Sequence, residues 1–207
     1  MAEVVVKRGT DANRRSTTFA QGEIAYTTDD KTVFIGDGST AGGTPIVKPP
    51  VCVTCYNSAE QDINAAASDN LVEWNIHSPA IGVATSGTDE DITHSTSSDK
   101  HKFVVNTAGT YLLSCSVALD ATGSTPTRYN GKLRFLLNGS TSIGPSGQGG
   151  YLREASGQDE TSLEVVMFAY TFSAADYFWA KIDREATTTA AVDTVARAST
   201  LFVMRVA

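Results

Sequence analysis

The sequence predicts an all-β protein, and three of its features favour this class. Charged residues make up only 19% of the 207 residues, and Thr, Ser, Ala and Gly take their place, which is a composition of strands and turns. Short apolar runs alternate with polar positions and are separated by Gly, Ser, Asn and Pro. No segment carries the apolar stripe of a normal-length helix; residues 58–70, the best helical candidate, are rich in Ala but lack it.

The chain divides into two parts with a proline-rich connector between them. We place an N-terminal module at residues 1–47, the connector at residues 48–50 and a head domain at residues 51–207. Two consecutive prolines favour a stiff, extended connector, so we expect the two parts to keep a fixed relative orientation.

Strand-like runs continue through the whole N-terminal module. The run Val4 to Lys7 is β-branched, and residues 23–27 and 32–35 bracket the turn Asp29-Asp30-Lys31, which predicts a hairpin. The segment Gly36-Asp37-Gly38 then provides positions that tolerate positive φ. A module of this size with so few large apolar side chains buries little surface alone, so it needs partners, and copies of itself are the simplest ones.

The head domain reads as a sandwich or jelly roll, because about eight strand candidates are separated by turn residues. The candidates are residues 51–56, 71–76, 102–105, 111–119, 132–137, 162–172, 177–182 and 200–206. In one of them Leu133, Phe135 and Leu137 can face one side while Lys132 and Arg134 face the other. Asn138-Gly139 ends that strand with the signal of a type I′ turn.

The charge of the chain argues against binding of nucleic acid. The formal net charge is −7; six basic and six acidic residues lie up to Pro50, and ten and 17 follow it, so the head carries the whole excess. An acidic surface repels phosphate backbones. We also expect no membrane insertion and no signal peptide, and hence synthesis in the cytoplasm, because no long apolar run or basic leader is present.

The cysteines and histidines give no recognisable metal site or cofactor site. Cys52 and Cys55 have C-x-x-C spacing, but no second pair exists, and strand alternation would put them on opposite faces. The chain has three Cys, an odd number that is a poor disulfide framework. His94 lies in the acidic, Ser/Thr-rich loop from Gly82 to Lys100, and His101 follows directly after it. Their acidic neighbours leave a cation site open, although a polar surface loop has the same composition.

No catalytic constellation is recognisable, so we expect that the chain is not an enzyme. It has no G-x-S-x-G elbow and no Walker-type loop, and no predicted helix follows Gly36-Asp37-Gly38 to make it a phosphate site. We therefore assign no catalytic residue, no cofactor and no metal ligand.

The segment GEIAYTTDDKTVFIGDGSTAGGTPIV, residues 22–47, resembles an N-terminal module of phage tail-fibre, baseplate and tropism-determinant proteins. There K-R-G-T, here residues 7–10, precedes a G-E-x-x-Y-x-T hairpin and then G-D-G-x-x-x-G-G-x-P. The resemblance implies an intertwined trimeric β-prism that attaches a larger appendage. The attachment residues that it implies are Glu23, Tyr26, Phe34, Gly36, Asp37 and Gly38.

The head resembles the jelly-roll domains of the complement type and of the tumour-necrosis-factor group. The resemblance lies in FVVNTAGTY at residues 103–111, in LRF at residues 133–135 followed by Asn138-Gly139, and in STLFV at residues 199–203. The acidic loop is longer than that pattern allows. Heads of this kind form homotrimers through aromatic faces, which implies Tyr111, Tyr177, Trp179 and Phe202 as interface residues.

Both resemblances imply a homotrimeric structural protein on the surface of a bacteriophage virion, assembled in the host cytoplasm. Two placements stay open. In the tail, the chain would be a tail-fibre or baseplate appendage whose head binds a host-surface carbohydrate or protein. On the capsid, it would be a decoration, cement or head-fibre protein bound to the major capsid protein, a placement that the small size favours.

Overall fold

A computed structural model describes residues 6–29, 31–46, 51–63, 70–81, 83–84, 90–121, 128–153, 160–184 and 192–206. The chain forms two compact units, Met1–Pro49 and Pro50–Ala207. The predicted connector at residues 48–50 lies outside the described residues. Within the described ranges, no helix is long and apolar enough to cross a membrane.

The first unit is a four-stranded sheet accompanied by one short helix. Its strands lie in the order β1, β2, β3, β4, with β1 parallel to β2 and the other pairs antiparallel. The elements are β1 (Lys7–Gly9), α1 (Asp11–Arg15), β2 (Ile24–Thr27), β3 (Val33–Ile35) and β4 (Thr44–Pro45). The hairpin β2–β3 lies where the sequence predicts it.

The expectation of strands throughout this unit is wrong at α1. The side chain of Thr10 accepts a hydrogen bond from the Asn13 amide at the start of the helix. Asp11 in the first turn forms ion pairs with Arg14 and Arg15, at 2.7 and 2.6 Å. Of the predicted strand at Val4–Lys7, Lys7 lies in β1 and Val6 precedes it, whereas Val4 and Val5 lie outside the described residues.

The core of the first unit is small. Among the described residues it consists of Phe19, Ala25 and Phe34. The Arg14 guanidinium lies 3.8 Å from the centre of the Phe34 ring and covers its exposed face. Three buried apolar side chains contribute little compared with the conformational entropy of a unit this size. The expectation that this unit needs additional packing partners therefore rests on the structure as well as on the sequence.

The second unit is a sandwich of two six-stranded sheets whose strand pairs are antiparallel except for β7 and β8, which are parallel. One, called here the β10 sheet, has the order β13-β10-β16-β5-β6 with β15 beside β10; the other, the β11 sheet, has the order β12-β11-β14-β9-β8-β7. Apart from the hairpin β11–β12, the long strands from β10 to β16 alternate along the chain between the two sheets, as in a jelly roll. The strands are β5 (Cys52–Tyr56), β6 (Ile76–Ile81), β7 (Val83–Ala84), β8 (Ile92–His94), β9 (Phe103–Val105), β10 (Gly109–Ala121), β11 (Arg128–Leu137), β12 (Thr141–Arg153), β13 (Glu160–Phe172), β14 (Tyr177–Arg184), β15 (Val192–Thr194) and β16 (Thr200–Arg205). The predicted all-β class with a jelly-roll head is confirmed.

The core lies between the two sheets and is centred on aromatic rings. Phe178 of β14 lies 5.1 Å from Phe103, 5.2 Å from Phe172 and 6.1 Å from Phe135, measured between ring centres. Along β10 the odd-numbered residues from Tyr111 to Leu119 are buried while their even-numbered neighbours are only half-buried. This alternation shows that one face of the β10 sheet packs inward and the other faces outward.

Two strand predictions for the head need correction. Residues 71–76 are not a strand: Leu71 makes only an isolated bridge to Lys181, and β6 begins at Ile76. Val72 and Trp74 are buried in alternation, which produces the strand-like pattern without a ladder. Conversely, the Gly-rich β12 was not predicted. A Cβ on Gly147 of β12 would lie 1.9 Å from the Glu164 carbonyl oxygen, so close approach of β13 requires glycine there.

Candidate subunit interface

The outward face of the β10 sheet carries no charge across its central rows. Cross-strand neighbours form one row of Ala169, Leu112, Met204 and Cys52. Beside it, Ser114, Phe202 and Thr54 form a second row. We call these seven residues, together with Val166 and Met167 at the edge, the uncharged face. Apolar and small polar side chains on an outward sheet face are typical of a surface that another protein covers.

A β-bulge on β13 enlarges this face at its edge. Leu113 of β10 pairs with Phe168, whereas Cys115 pairs with Val165, so β13 carries one extra residue between these pairs. The extra residue turns both Val166 and Met167 away from the core, and their side chains are 69% and 55% exposed. Two adjacent large apolar residues exposed on an edge strand are costly in water unless a partner covers them.

The outward face of the β11 sheet has the opposite character. Arg134 of β11 lies beside Lys181 of β14 and forms an ion pair of 2.5 Å with Asp183. Lys132 pairs with Asp183 across the same two strands. These charges keep this face in water, since removing ion pairs from water costs several kcal/mol for each ion. The contrast between the two faces therefore makes the β10 sheet the better candidate for a subunit contact.

The four aromatic residues that the sequence suggested for an interface lie in three different places. Phe202 is on the uncharged face and is half-buried. Tyr177 and Trp179 lie on the β11 sheet, where Tyr177 packs under the Lys102 ammonium and Trp179 against His101. Tyr111 is fully buried in the core, so its assignment to an interface is wrong: a side chain at an odd position of β10 points between the sheets.

The predicted attachment residues lie on or next to the β2–β3 hairpin of the first unit. Glu23 forms an ion pair of 2.7 Å with Lys7 and accepts a hydrogen bond from the Ala20 amide, and these contacts lower the pKa of its carboxyl group. Tyr26 lies on β2 between Arg8 of β1 and Val33 of β3 and is half-buried.

The other attachment residues form the centre and the closing turn of this unit. Phe34 belongs to the core, and Gly38 has a φ of +83°, which glycine adopts without strain. Asp37 accepts hydrogen bonds from the Thr40 hydroxyl and from the amides of Thr40 and Ser39, at 2.6 to 2.9 Å. These bonds to the carboxylate hold the pKa of Asp37 well below its usual range, with the Thr40 hydroxyl as the largest cause.

Gly36 is required by close approach of the backbone. A Cβ at this position would lie 2.3 Å from the Ala20 carbonyl oxygen and 2.6 Å from the Phe19 Cβ. Thus we expect the substitution Gly36→Ala to destabilise the first unit by about 1–3 kcal/mol. Amide hydrogen exchange of β2 and β3 in the full chain should accelerate accordingly.

The matched control for this substitution is Gly9→Ala on β1. A Cβ there finds its nearest neighbour, Asn13, at 3.8 Å, which is an ordinary contact. Exchange in Gly9→Ala should match that of the wild type. Equal protection of β2 and β3 in Gly36→Ala and in the wild type would contradict the packing described for Gly36.

The acidic loop does not bring its histidines together. His94 points into the core, where it stacks on Phe103 with ring centres 3.9 Å apart, while His101 lies against Trp179. Asp91 is also buried, and its carboxylate lies 3.3 Å from the Arg205 guanidinium. Asp89 lies outside the described residues. Among the described residues, the two histidines of this region therefore do not share one site.

The cysteines lie as strand alternation predicts. On β5, Cys55 is buried and Cys52 half-buried, so they occupy opposite faces. Cys115 on β10 is buried as well, and burial raises the pKa of both buried thiols above its ordinary value. All three thiols are free.

Residues of the uncharged face other than Phe202 were missed by the sequence reasoning. Leu112 and Met204 lie inside predicted strands and are not aromatic, so the resemblance to aromatic trimer interfaces did not include them. A signal was available: the outward positions of the strands at residues 111–119 and 200–206 lack charge, unlike those of the strand at residues 132–137. The exposure of Val166 and Met167 could not be predicted from the sequence, because it depends on the β-bulge in β13.

The first unit matches a known sequence family. Residues 4–40 match the Major tropism determinant N-terminal domain. This range includes all six predicted attachment residues, and the resemblance of the N-terminal module to phage tropism-determinant proteins is confirmed. No curated protein sequence matches the chain.

The head is similar to solved structures of the two groups that its sequence resembles. One is murine APRIL, with a TM-score of 0.48 and 12% identity over 76% of this chain and 100% of that one. Another is the TNF Eiger from S. frugiperda, with a TM-score of 0.48 and 12% identity over 77% and 94% of the two chains. A third is the globular domain of zebrafish complement 1qA, with a TM-score of 0.42 and 12% identity over 78% and 98%.

Proposed function

We propose that this chain is a structural protein of a bacteriophage virion, a homotrimeric tail-fibre or baseplate appendage whose head binds a receptor on the host surface. The observation that carries the proposal is the match of residues 4–40 to the tropism determinant N-terminal domain. The first unit would attach the appendage to other virion proteins, and the head would be displayed on the virion surface.

Self-association is supported by a separate feature in each unit. The first unit has a core of three described residues and exposes Val6, Ile35 and Ile46. The head presents the uncharged face and, at its edge, the exposed Val166 and Met167. Copies of one chain cover such faces through cyclic symmetry, and a three-fold assembly would place three heads side by side.

Receptor binding by three heads would tolerate a weak individual site. Linked sites raise the overall affinity by a factor of about 10² to 10⁴ without any new contact. We propose a host-surface carbohydrate or protein as the receptor. The charged outward face of the β11 sheet, with Lys132, Arg134 and Lys181, would stay free for it in a trimer assembled through the β10 sheet.

The proposed role is binding rather than catalysis. The cysteine thiols with raised pKa, Cys55 and Cys115, lie between the sheets, and so does His94, whose pKa burial lowers to about 4. Groups at these positions shape the core and are out of reach of a macromolecular substrate.

Two measurements on the phage that carries this protein test the proposal. Gold-labelled antibody against the head should mark the tail tip or baseplate of intact particles in electron micrographs. Purified protein added before infection should also reduce adsorption of the phage to its host by competing for the receptor.

Label distributed over the capsid, with no effect on adsorption, would overturn the receptor-binding role in favour of capsid decoration. Particles without any label would remove the virion assignment altogether. The matched control for the competition is a variant that does not associate and stays a single protomer. Three linked heads should compete at least tenfold better than single heads.

A further inference from the structure

Three potential metal ligands converge between the two sheets of the head. The Cys55 thiol and one ring nitrogen each of His77 and His94 all lie within 4.8 Å of one another. Cys55 and His94 are fully buried and His77 is half-buried. The chain has only three cysteines and three histidines, so half of them meet at this point.

The fold brings these side chains together from both sheets. Cys55 of β5 pairs directly with His77 of β6, and directly opposed residues of an antiparallel pair project from the same face. Between Val53 and Cys55 the register shifts by one residue, a bulge on β6 that sets His77 opposite the thiol. His94 comes from β8 of the facing sheet.

The hydrogen bonds of His94 determine which of its nitrogens is free to bind a metal. Nε2 lies 2.7 Å from the carbonyl oxygen of Lys100, which can only accept, so Nε2 carries the hydrogen and Nδ1 has the lone pair. Nδ1 lies 2.6 Å from Nε2 of His77. A ligating imidazole whose second nitrogen donates to a backbone carbonyl is the usual arrangement in metal sites, because this bond fixes the ring and its tautomer.

We propose that Cys55, His77 and His94 bind a zinc ion that joins the two sheets of the head. Thiolate and imidazole are the ligands that Zn²⁺ prefers, and a water molecule would complete the tetrahedron on the half-exposed side of His77. Zinc–nitrogen bonds of about 2.0–2.1 Å require the two ring nitrogens to lie about 3.3 Å apart. The two nitrogens, which lie 2.6 Å apart, must therefore separate by about 0.7 Å, chiefly by movement of the half-buried His77. The thiol must lie about 3.6 Å from each nitrogen, and the three atoms now lie within 4.8 Å of one another.

The surroundings of the three side chains agree with a soft divalent ion, which takes imidazole and thiolate ligands. Phe103 stacks on His94 and excludes water from that side. The ion would compensate the thiolate that it creates at Cys55, a charge that the apolar core otherwise disfavours.

The test measures metal content and spectra of the full chain, and it is independent of the virion role. After treatment with a chelator, the protein is loaded with Zn²⁺ or with Co²⁺ as a spectroscopic substitute. We expect one ion per protomer, a near-ultraviolet charge-transfer band from thiolate to Co²⁺, and a rise of the Tm on addition of Zn²⁺.

Two pairs of variants isolate the site. Cys55→Ala should lose the charge-transfer band, whereas Cys115→Ala, the other buried cysteine of the same sheet, should keep it. His77→Gln should bind Co²⁺ at least tenfold more weakly, whereas His101→Gln should bind it as the wild type does. Far-ultraviolet circular dichroism checks that the variants fold. Because His77 is half-buried and Cys55 fully buried, His77→Gln should disturb the fold less than Cys55→Ala.

Either of two results would overturn the proposal. The first is wild-type protein that takes up less than one ion per protomer from micromolar Zn²⁺. The second is a charge-transfer band that persists in Cys55→Ala, since the thiolate would then come from elsewhere.

Discussion

A chain with Val166→Glu and Met167→Glu should elute as a protomer of 21.9 kDa, while the wild type elutes at three times that mass. Both side chains are more than half exposed in the protomer, so the change costs the isolated fold little, within about 0.5 kcal/mol for each position. In the assembly, each carboxylate would be buried against an apolar partner face without a counter-charge. Each substitution should therefore weaken association by at least 2 kcal/mol, roughly 30-fold, and the pair by about a thousandfold.

The control for this experiment places the same charge on the other sheet. Ser142 of β12 is exposed and lies in the β11 sheet, so Ser142→Glu adds an acidic residue without touching the uncharged face. Light scattering coupled to size exclusion should give the trimer mass for this variant. A wild type that already elutes as a protomer would refute the trimer itself. A double variant that remains trimeric would show that the interface lies elsewhere, with the face of Tyr177 and Trp179 as the next candidate.

The sequence predicts a strand well where apolar and polar residues alternate. It does not predict a strand whose position depends on contacts with a distant segment of the chain. Leu133 and Phe135 are buried as their spacing indicates, and Asn138-Gly139 has the two positive φ values of a type I′ turn. The strand β12 has no such pattern, because Gly147 is needed where β13 passes close to it. Such an approach depends on a segment distant in sequence and leaves no local signal.

Candidate sites depend even more on register than the fold does. Tyr111 and Leu112 are neighbours in sequence, yet one faces the core and the other the uncharged face, so an error of one position reverses the assignment. In the same way, the meeting of Cys55 with His77 depends on a bulge, and that of His77 with His94 on the stacking of two sheets. Residue type and spacing identify neither contact in advance.

Truncating the Tyr111 side chain should lower the stability of the folded head rather than weaken the association of subunits. The ring is fully buried and lies edge-on to Phe172, with ring centres 5.7 Å apart, and the hydroxyl donates to the carbonyl oxygen of Thr107 at 2.7 Å. Burial, with the nearby Asp91 carboxylate, raises the pKa of Tyr111 to about 12, so the phenol stays a neutral donor. Tyr111→Ala removes a large buried ring and should cost about 3–5 kcal/mol. Tyr111→Phe keeps the ring and should cost only about 1 kcal/mol.

Urea unfolding of these variants must separate protomer stability from assembly, because association makes apparent stability depend on concentration. For this reason the background should be the chain with Val166→Glu and Met167→Glu. There, Tyr111→Ala should lower the urea midpoint strongly, whereas Phe202→Ala should lower it little, because Phe202 is on the outward face. In the otherwise wild-type chain, Phe202→Ala should instead weaken the trimer. A Tyr111→Ala protomer of nearly unchanged midpoint would contradict the inward position of this ring and restore it to the interface.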